Sequence, residues 1–303
     1  MRCRMCGQRA VIRLRSHNIA LCEGCLQEFI RRRVKKAIKD YRLLQPGERP
    51  LVAVSGGKDS LSVWDLLGEL GFEAGGLYIH LGIGDYSDRS EEAARRFAEA
   101  RGLELRVERV ADHFSGLGIP ELARLDRRPP CSICGMVKRY LMNKAAYEGG
   151  RVLVTGHNLD DEVATLFGNV LDWKEGYLSR QAPRLPAAPG LAPRTKPLVL
   201  CTEREMAAYA ISRGIDYILE ECPFSRGATS LFYKDLWNQL EERSPGAKLR
   251  FYQNFLRVRH LFSFSEEEPW LQPCQSCGFP TTTELCNFCR LRDRAKGKKG
   301  NPP

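Results

Sequence analysis

The chain has 303 residues, 43% hydrophobic and 28% charged, which is ordinary for a globular protein of about two domains. Its net charge of +10 favours a polyanionic partner, nucleic acid before an anionic membrane. Neither a signal-peptide core nor a run of 18 apolar residues occurs, so we expect a cytoplasmic protein without a membrane span. In that reducing compartment the twelve cysteines would be metal ligands or catalytic thiols rather than disulfides.

A four-cysteine pattern opens the chain and predicts a zinc site within residues 1–26. The ligands would be Cys3, Cys6, Cys22 and Cys25. Apolar residues at helical spacing then predict a helix over residues 26–43, within a linker at 27–48. Six arginines and lysines on the opposite face of this helix suit contacts to phosphates.

Strands alternate with helices over residues 49–222, which predicts an α/β domain with a parallel sheet covered on both faces. The predicted strands are 51–54, 76–81, 103–107, 151–155 and 198–200. The predicted helices are 60–70, 90–101, 134–148, 160–171 and 203–213. Five prolines over residues 181–197 predict a loop or lid there.

The first strand is followed by the turn Ser55-Gly56-Gly57-Lys58-Asp59-Ser60. Two glycines let a phosphate approach the backbone amides at the positive end of the next helix. The spacing differs from the Walker A loop, so we do not predict γ-phosphoryl transfer. The turn is similar to the SGG-x-[DS]-S signature of PP-loop ATP pyrophosphatases, which implies cleavage between the α- and β-phosphates and an adenylated substrate.

A second segment, 155–162, also follows an apolar strand, where open α/β sheets bind ligands. Gly156 permits close backbone approach. The adjacent Asp160 and Asp161 could hold Mg²⁺ with nucleotide phosphates, or could only cap the helix that they begin. Together with the turn at residues 55–60, this segment favours a nucleotide site.

Three further cysteines, Cys131, Cys134 and Cys222, leave three interpretations open. They could be structural thiols, a redox pair that carries sulfur as a persulfide, or ligands of an iron–sulfur cluster with one open iron. Their spacing does not choose between the last two. Cys201 adjoins an apolar run and is predicted to be structural.

The C-terminal part is predicted to be a basic helical segment, 223–268, a second zinc module, 269–293, and a basic, disordered tail, 294–303. The ligands of the second zinc ion would be Cys274, Cys277, Cys286 and Cys289. Four thiolates in a tetrahedral arrangement select zinc or, less often, a single iron.

The order of these motifs over about residues 1–293 resembles the TtuA and TtcA family of PP-loop tRNA thiolases, and the TtuA-like group in particular. The resemblance implies that Cys131, Cys134 and Cys222 ligate a [4Fe–4S] cluster whose fourth iron is open to sulfur. Lys138 and Asp161 match the family's catalytic lysine and acid. ATP, with Mg²⁺, would lie against Ala53, Ser55, Gly56, Gly57, Lys58, Asp59, Ser60, Ile79 and Gly156.

The same resemblance implies that the chain 2-thiolates uridine or 5-methyluridine at position 54 of tRNA. ATP would adenylate the C2 oxygen, and a thiocarboxylated ubiquitin-like carrier would supply the sulfur. Three alternatives stay open: thiolation of anticodon uridine 34, a PP-loop ligase or amidotransferase with purely structural metals, and a non-enzymatic zinc-ribbon RNA-binding protein. The composition also permits a homodimer.

Overall fold

Two short antiparallel strands begin the computed structural model, which describes residues 1–225, 227, 229–262 and 271–297. β1 (Ile12–Leu14) pairs with β2 (Ile19–Leu21), and α1 (Glu23–Asp40) follows. The apolar stripe of α1 is buried, as its helical spacing predicts. This helix ends at Asp40 rather than at residue 43, because Arg42 adopts a left-handed conformation with φ of 49°.

A six-stranded sheet follows, built from β3 (Pro50–Val54), β4 (Gly75–His80), β5 (Leu105–Arg109), β6 (Val152–Thr155), β7 (Arg184–Leu185) and β8 (Arg194–Thr195). The spatial order is β5-β4-β3-β6-β8-β7, and all neighbours are parallel except β7 and β8. The chain therefore runs outward from β3 to β5 and resumes at β6 on the other side of β3. The carboxyl ends of β3 and β6 meet at a switch point, where such sheets bind ligands.

Helices cover both faces of the sheet, which confirms the predicted fold class. They are α2 (Lys58–Glu69), α3 (Gly84–Arg101), α4 (Val110–His113), α5 (Ile119–Asp126), α6 (Pro130–Glu148), α7 (Leu159–Leu171), α8 (Glu175–Arg180) and α9 (Glu203–Ser212). One buried cluster joins α1, α2, α7 and α9, and a second joins α5 and α6. Trp64 packs so closely on Gly76 that an added Cβ there would lie 2.4 Å from the indole ring.

Two predictions for this domain were wrong. Residues 198–200 form a turn rather than a strand, although their apolar side chains are buried as a strand's would be. The strands on this side of the sheet are β8 and, at the edge, β7, and both lie inside the proline-rich stretch that was predicted to be a loop. Cys201 is fully buried in the core, as the prediction of a structural thiol requires.

The C-terminal part contains α10 (Thr229–Arg243), α11 (Ala247–Val258), β9 (Gln272–Pro273), β10 (Pro280–Thr281) and α12 (Asn287–Gly297). The basic helical segment predicted over residues 223–268 is broken because Pro245 and Gly246, with φ of 85° at the glycine, end α10. Parts of the predicted helical segment, zinc module and tail, at residues 263–270 and 298–303, lie outside the described residues. None of the described helices is long and apolar enough to cross a bilayer.

Candidate active site

The turn after β3 is held together by its own serine hydroxyls. Ser60 Oγ accepts a hydrogen bond from the Ser55 amide at 3.0 Å and donates to the Gly57 carbonyl at 3.0 Å. Gly56 has φ of 75°, and an added Cβ would lie 2.4 Å from the carbonyl oxygen of Ser90. Only glycine fits there, and the turn presents the amides at the start of α2, where an anion is favoured.

A cavity of about 280 Å³, which we call the nucleotide cavity, opens beside this turn between α6 and the ends of β3, β4 and β6. Seven of the nine predicted nucleotide contacts line it, namely Ala53, Ser55, Gly57, Asp59, Ser60, Ile79 and Gly156. Gly156 closes over the start of α2, since an added Cβ would lie 2.8 Å from the amide nitrogen of Ser60. Gly56 and Lys58 are not in the lining.

Lys58 instead belongs to a network of alternating charges beside the cavity. Its Nζ lies 3.1 Å from Asp59 Oδ2 and 2.9 Å from Glu203 Oε1, and Lys234 Nζ lies 3.1 Å from the other oxygen of Glu203. Burial alone would raise the pKa of Glu203, but the two lysines lower it to about 2. Burial raises the pKa of Asp59 to about 6 against the attraction of Lys58.

The two aspartates that begin α7 are both occupied by protein partners. Asp161 Oδ2 accepts the amide hydrogen of Asn158 at 3.0 Å, and Oδ1 pairs with Lys234 at 2.6 Å. Asp160 is buried and pairs with Lys248. The structure thus shows Asp161 as a helix-capping residue, and neither aspartate lines the nucleotide cavity.

A larger cavity of about 680 Å³, which we call the thiol cavity, is lined by Cys131, Cys134 and Cys222. The first two lie in the first turns of α6, and Cys131 Sγ is 3.1 Å from the carbonyl oxygen of Phe224, which follows Cys222. Burial raises the pKa of the Cys134 thiol, and Lys138 opposes that rise. Among the described residues only the two terminal cysteine sets bring all their sulfurs within 4.8 Å, so the trio is wider than a single-ion site.

The nucleotide cavity and the thiol cavity adjoin each other. The residues that line both are Leu81, Tyr86, Lys138, Met142, Thr155 and His157. Lys138 lies one helical turn beyond Cys134 and therefore faces both spaces. The structure places the phosphate-binding turn and the three thiols around one divided pocket.

Most of the charged side chains that line the thiol cavity are positive. Besides Lys138, its lining contains Arg139, Arg194 and Lys196, while the buried Glu162 is paired with Lys196 at 2.6 Å. Such a lining attracts an anionic reactant. The arginine and lysine from the β8 region were missed in the sequence because they lie in the stretch that was predicted to be a loop.

The two terminal cysteine sets are compact enough for one metal ion each. The Cys6 and Cys22 sulfurs are 3.4 Å apart, and those of Cys277 and Cys286 are 3.7 Å apart. The C-terminal set is docked on α6, since the ring of Phe288 stacks on Tyr140 with 3.7 Å between centroids. The module that begins at β9 therefore packs against the helix that carries Lys138.

The family profile described as a PP-loop domain matches residues 26–223. A second profile, described as the N-terminal LIM domain of the 2-thiouridine synthetase TtuA, matches residues 2–27. A tRNA-5-methyluridine(54) 2-sulfurtransferase from Thermus thermophilus is 51% identical over 99% of this chain and 94% of its own length. The chain belongs to the TtuA family of PP-loop tRNA thiolases.

Two further similarities agree with membership of the TtuA family, whose members are sulfurtransferases. A second tRNA-5-methyluridine(54) 2-sulfurtransferase, from Thermotoga maritima, is 45% identical over the whole of both chains. The solved U34-tRNA thiolase NcsA from Methanococcus maripaludis, with its [4Fe–4S] cluster, superposes with a TM-score of 0.81 at 25% identity, covering 97% of this chain and 96% of that one. The predicted resemblance, fold and enzyme class are confirmed.

Proposed function

We propose that this TtuA-family enzyme 2-thiolates uridine or 5-methyluridine at position 54 of tRNA, at the expense of ATP. The wall shared by the nucleotide cavity and the thiol cavity carries this proposal, because activation and sulfur transfer must act on the same base. Relatives at 51% and 45% identity are named for position 54, whereas the solved thiolase at 25% identity is named for position 34. These identities favour position 54 over the anticodon.

ATP is needed because the C2 oxygen of uracil would otherwise have to leave as hydroxide. Attack of this oxygen on the α-phosphate releases pyrophosphate and makes the oxygen part of AMP, a better leaving group. A sulfur nucleophile then displaces AMP at C2. The amides at the start of α2 and the ammonium group of Lys138, which reaches both cavities, stabilise the phosphate charge that develops.

We assign Asp161 a positioning role in this reaction. It holds Lys234, which binds Glu203, and Glu203 in turn holds Lys58 beside the phosphate-binding turn. For Mg²⁺ we assign Asp59, whose Oδ1 is buried, lacks a hydrogen-bond partner among the described residues and belongs to the lining of the nucleotide cavity. A carboxylate oxygen is the ligand that Mg²⁺ prefers alongside phosphates.

The donor set of the thiol cavity fits a [4Fe–4S] cluster held by Cys131, Cys134 and Cys222. The ligands are all thiols, they share one cavity, and they are spaced more widely than a single-ion site. With three thiolate ligands, the bound cluster would supply an iron with an open position for external sulfur. The positive side chains of the cavity would attract an anionic donor, such as the C-terminal thiocarboxylate of a ubiquitin-like carrier.

Zinc is the metal that we assign to the two terminal cysteine sets, because four thiolates around one ion select it. None of the twelve cysteines, all of which lie in the described part of the chain, forms a disulfide, which supports a reducing, cytoplasmic location. A homodimer stays a prediction.

The basic face of α1 contributes less to RNA binding than the sequence predicts. Three of its six cations form ion pairs within the helix, Arg31 and Arg32 with Glu28, and Lys36 with Asp40. Neutralised side chains release fewer counterions when RNA binds. We therefore assign the grip on the tRNA backbone to the zinc modules together with the remaining cations of this helix.

The test uses anaerobically purified protein analysed for iron, sulfide and zinc, then incubated with tRNA, ATP and a thiocarboxylated carrier. Nucleoside mass spectrometry should show 2-thiolation that is absent from tRNA with cytidine at position 54. Cys222→Ser should abolish thiolation and lose iron. The matched control is Cys201→Ser, because Cys201 is fully buried and lines neither cavity.

Four outcomes would contradict the proposal. Full thiolation by the Cys222→Ser variant would show that the three thiols are structural, as expected of a PP-loop ligase or amidotransferase. A thiolated base at position 34 would select the anticodon. Binding of tRNA without pyrophosphate release from ATP would indicate a non-enzymatic RNA-binding protein. An enzyme that thiolates tRNA and contains sulfur but no iron would indicate that a persulfide, rather than a cluster, carries the sulfur.

A further inference from the structure

His157 lies where the nucleotide cavity meets the thiol cavity, and its ring belongs to the lining of both. It follows Gly156 at the carboxyl end of β6. Its Nδ1 is 2.8 Å from Thr155 Oγ1, and its Nε2 makes no hydrogen bond within the described parts of the chain. When Nδ1–H donates to the threonine oxygen, Nε2 carries a free lone pair.

The surroundings of His157 favour a neutral ring. The charged and titratable groups around it are Lys138 of α6, Tyr86 of α3, Asp161 and Glu162 of α7, Arg194 of β8, and Lys196. Desolvation by the surrounding protein is the largest cause that lowers the pKa of His157, and the positive charge of Lys196 lowers it further. The opposing Glu162 is itself paired with Lys196 at 2.6 Å. A neutral imidazole at pH 7 can accept a proton.

The activation step of the proposed function releases a proton that some group must accept. As the C2 oxygen of uracil bonds to the α-phosphate, the bond from that phosphorus to the oxygen it shares with the β-phosphate breaks, and pyrophosphate leaves. The electron pair of the N3–H bond becomes the new C2=N3 double bond. We propose that Nε2 of His157 accepts this N3 proton, and the resulting imidazolium later returns it to solvent.

The other candidate bases are less suitable. Asp161 caps α7 and is paired with Lys234. Both oxygens of Glu162 are occupied, one by Lys196 and the other by the hydroxyl of Tyr252 at 3.2 Å. Asp59 lines only the nucleotide cavity. The uracil ring, which receives first AMP and then sulfur, must lie at the wall that the two cavities share, and its proton acceptor must reach that wall.

This inference rests on the proposed thiolation, and its test uses the holoenzyme. His157→Asn removes the proton acceptor and keeps a polar group beside Thr155, and His157→Gln is the second variant. The matched control is His260→Asn, because His260 is exposed and lines neither cavity. The measurements are tRNA-dependent pyrophosphate release in a single turnover from pH 5 to 9, iron content and ATP affinity.

We expect the wild type and the His260→Asn control to lose rate as the pH falls and the imidazole becomes protonated. Both His157 variants should release pyrophosphate about 10²–10⁴-fold more slowly, without that acidic limb, and with unchanged iron content and ATP affinity. Added imidazole should restore part of the rate. An unchanged rate and pH profile would overturn the assignment, as would loss of iron or ATP binding in both variants. A wild type without tRNA-dependent pyrophosphate release would overturn the proposed function as well.

Discussion

Replacing Gly156 with alanine would place a methyl group against the start of α2. An added Cβ would lie 2.8 Å from the amide nitrogen of Ser60 and 2.9 Å from the carbonyl carbon of Asp59, where ordinary contacts begin at 3.4 Å. Both neighbours are backbone atoms, which cannot rotate away as a side chain can. We expect the turn after β6 and the start of α2 to separate by about 0.5 Å.

Overpacking of this kind costs about 1–3 kcal/mol of unfolding free energy. In a protein of this size each kcal/mol lowers Tm by roughly 2–4 °C, so the variant should melt roughly 2–12 °C lower. The same shift displaces the amides that face the nucleotide phosphates. We therefore expect ATP affinity to fall about tenfold or more, which corresponds to about 1.4 kcal/mol.

Thermal unfolding and calorimetric titration with a non-hydrolysable ATP analogue measure the two effects of Gly156→Ala. Gly68→Ala is the matched control, because Gly68 lies within α2 and no atom is within 4 Å of an added Cβ. Alanine there should stabilise the protein by about 0.5–1 kcal/mol and leave ATP affinity unchanged. If the Gly156→Ala variant kept the Tm and the ATP affinity of the wild type, the close approach of the turn after β6 to the start of α2 would be refuted.

Three further predictions concern the charge network and the C-terminal module. Two lysines hold the pKa of Glu203 at about 2, below its ordinary 4.5, so this pairing stabilises the fold above pH 4.5 and is lost as the pH falls towards 2. Glu203→Gln should therefore show a smaller fall in Tm across that window, and an equal fall would contradict the pairing. Phe288→Ala should lower the unfolding free energy by about 3–5 kcal/mol in urea, because it removes the ring stacked on Tyr140. A loss below about 1 kcal/mol would show that the C-terminal module is not docked there. Cys289→Ser should reduce the zinc content from two ions to one per chain by elemental analysis, and two retained ions would argue against a four-cysteine site.

The parallel sheet could be predicted because β3 and β6 are buried on both sides and read as short apolar runs. The same signal misled at residues 198–200, where the apolar side chains are buried within a turn. Burial and strand pairing leave the same trace in a short apolar run, and the sequence cannot separate them. β8 and the edge strand β7 were missed because prolines surround them.

The sequence by itself determined the two terminal cysteine sets and the phosphate-binding turn at residues 55–60. Each is a local device, in which ligands or amides lie within one short segment and the covalent chain sets their distances. Only the tertiary structure decided that Cys222 shares a cavity with α6, that Lys58 pairs with Glu203, and that His157 stands in the wall between two cavities. These contacts depend on how distant elements pack, and no local spacing encodes packing across the switch point of the sheet.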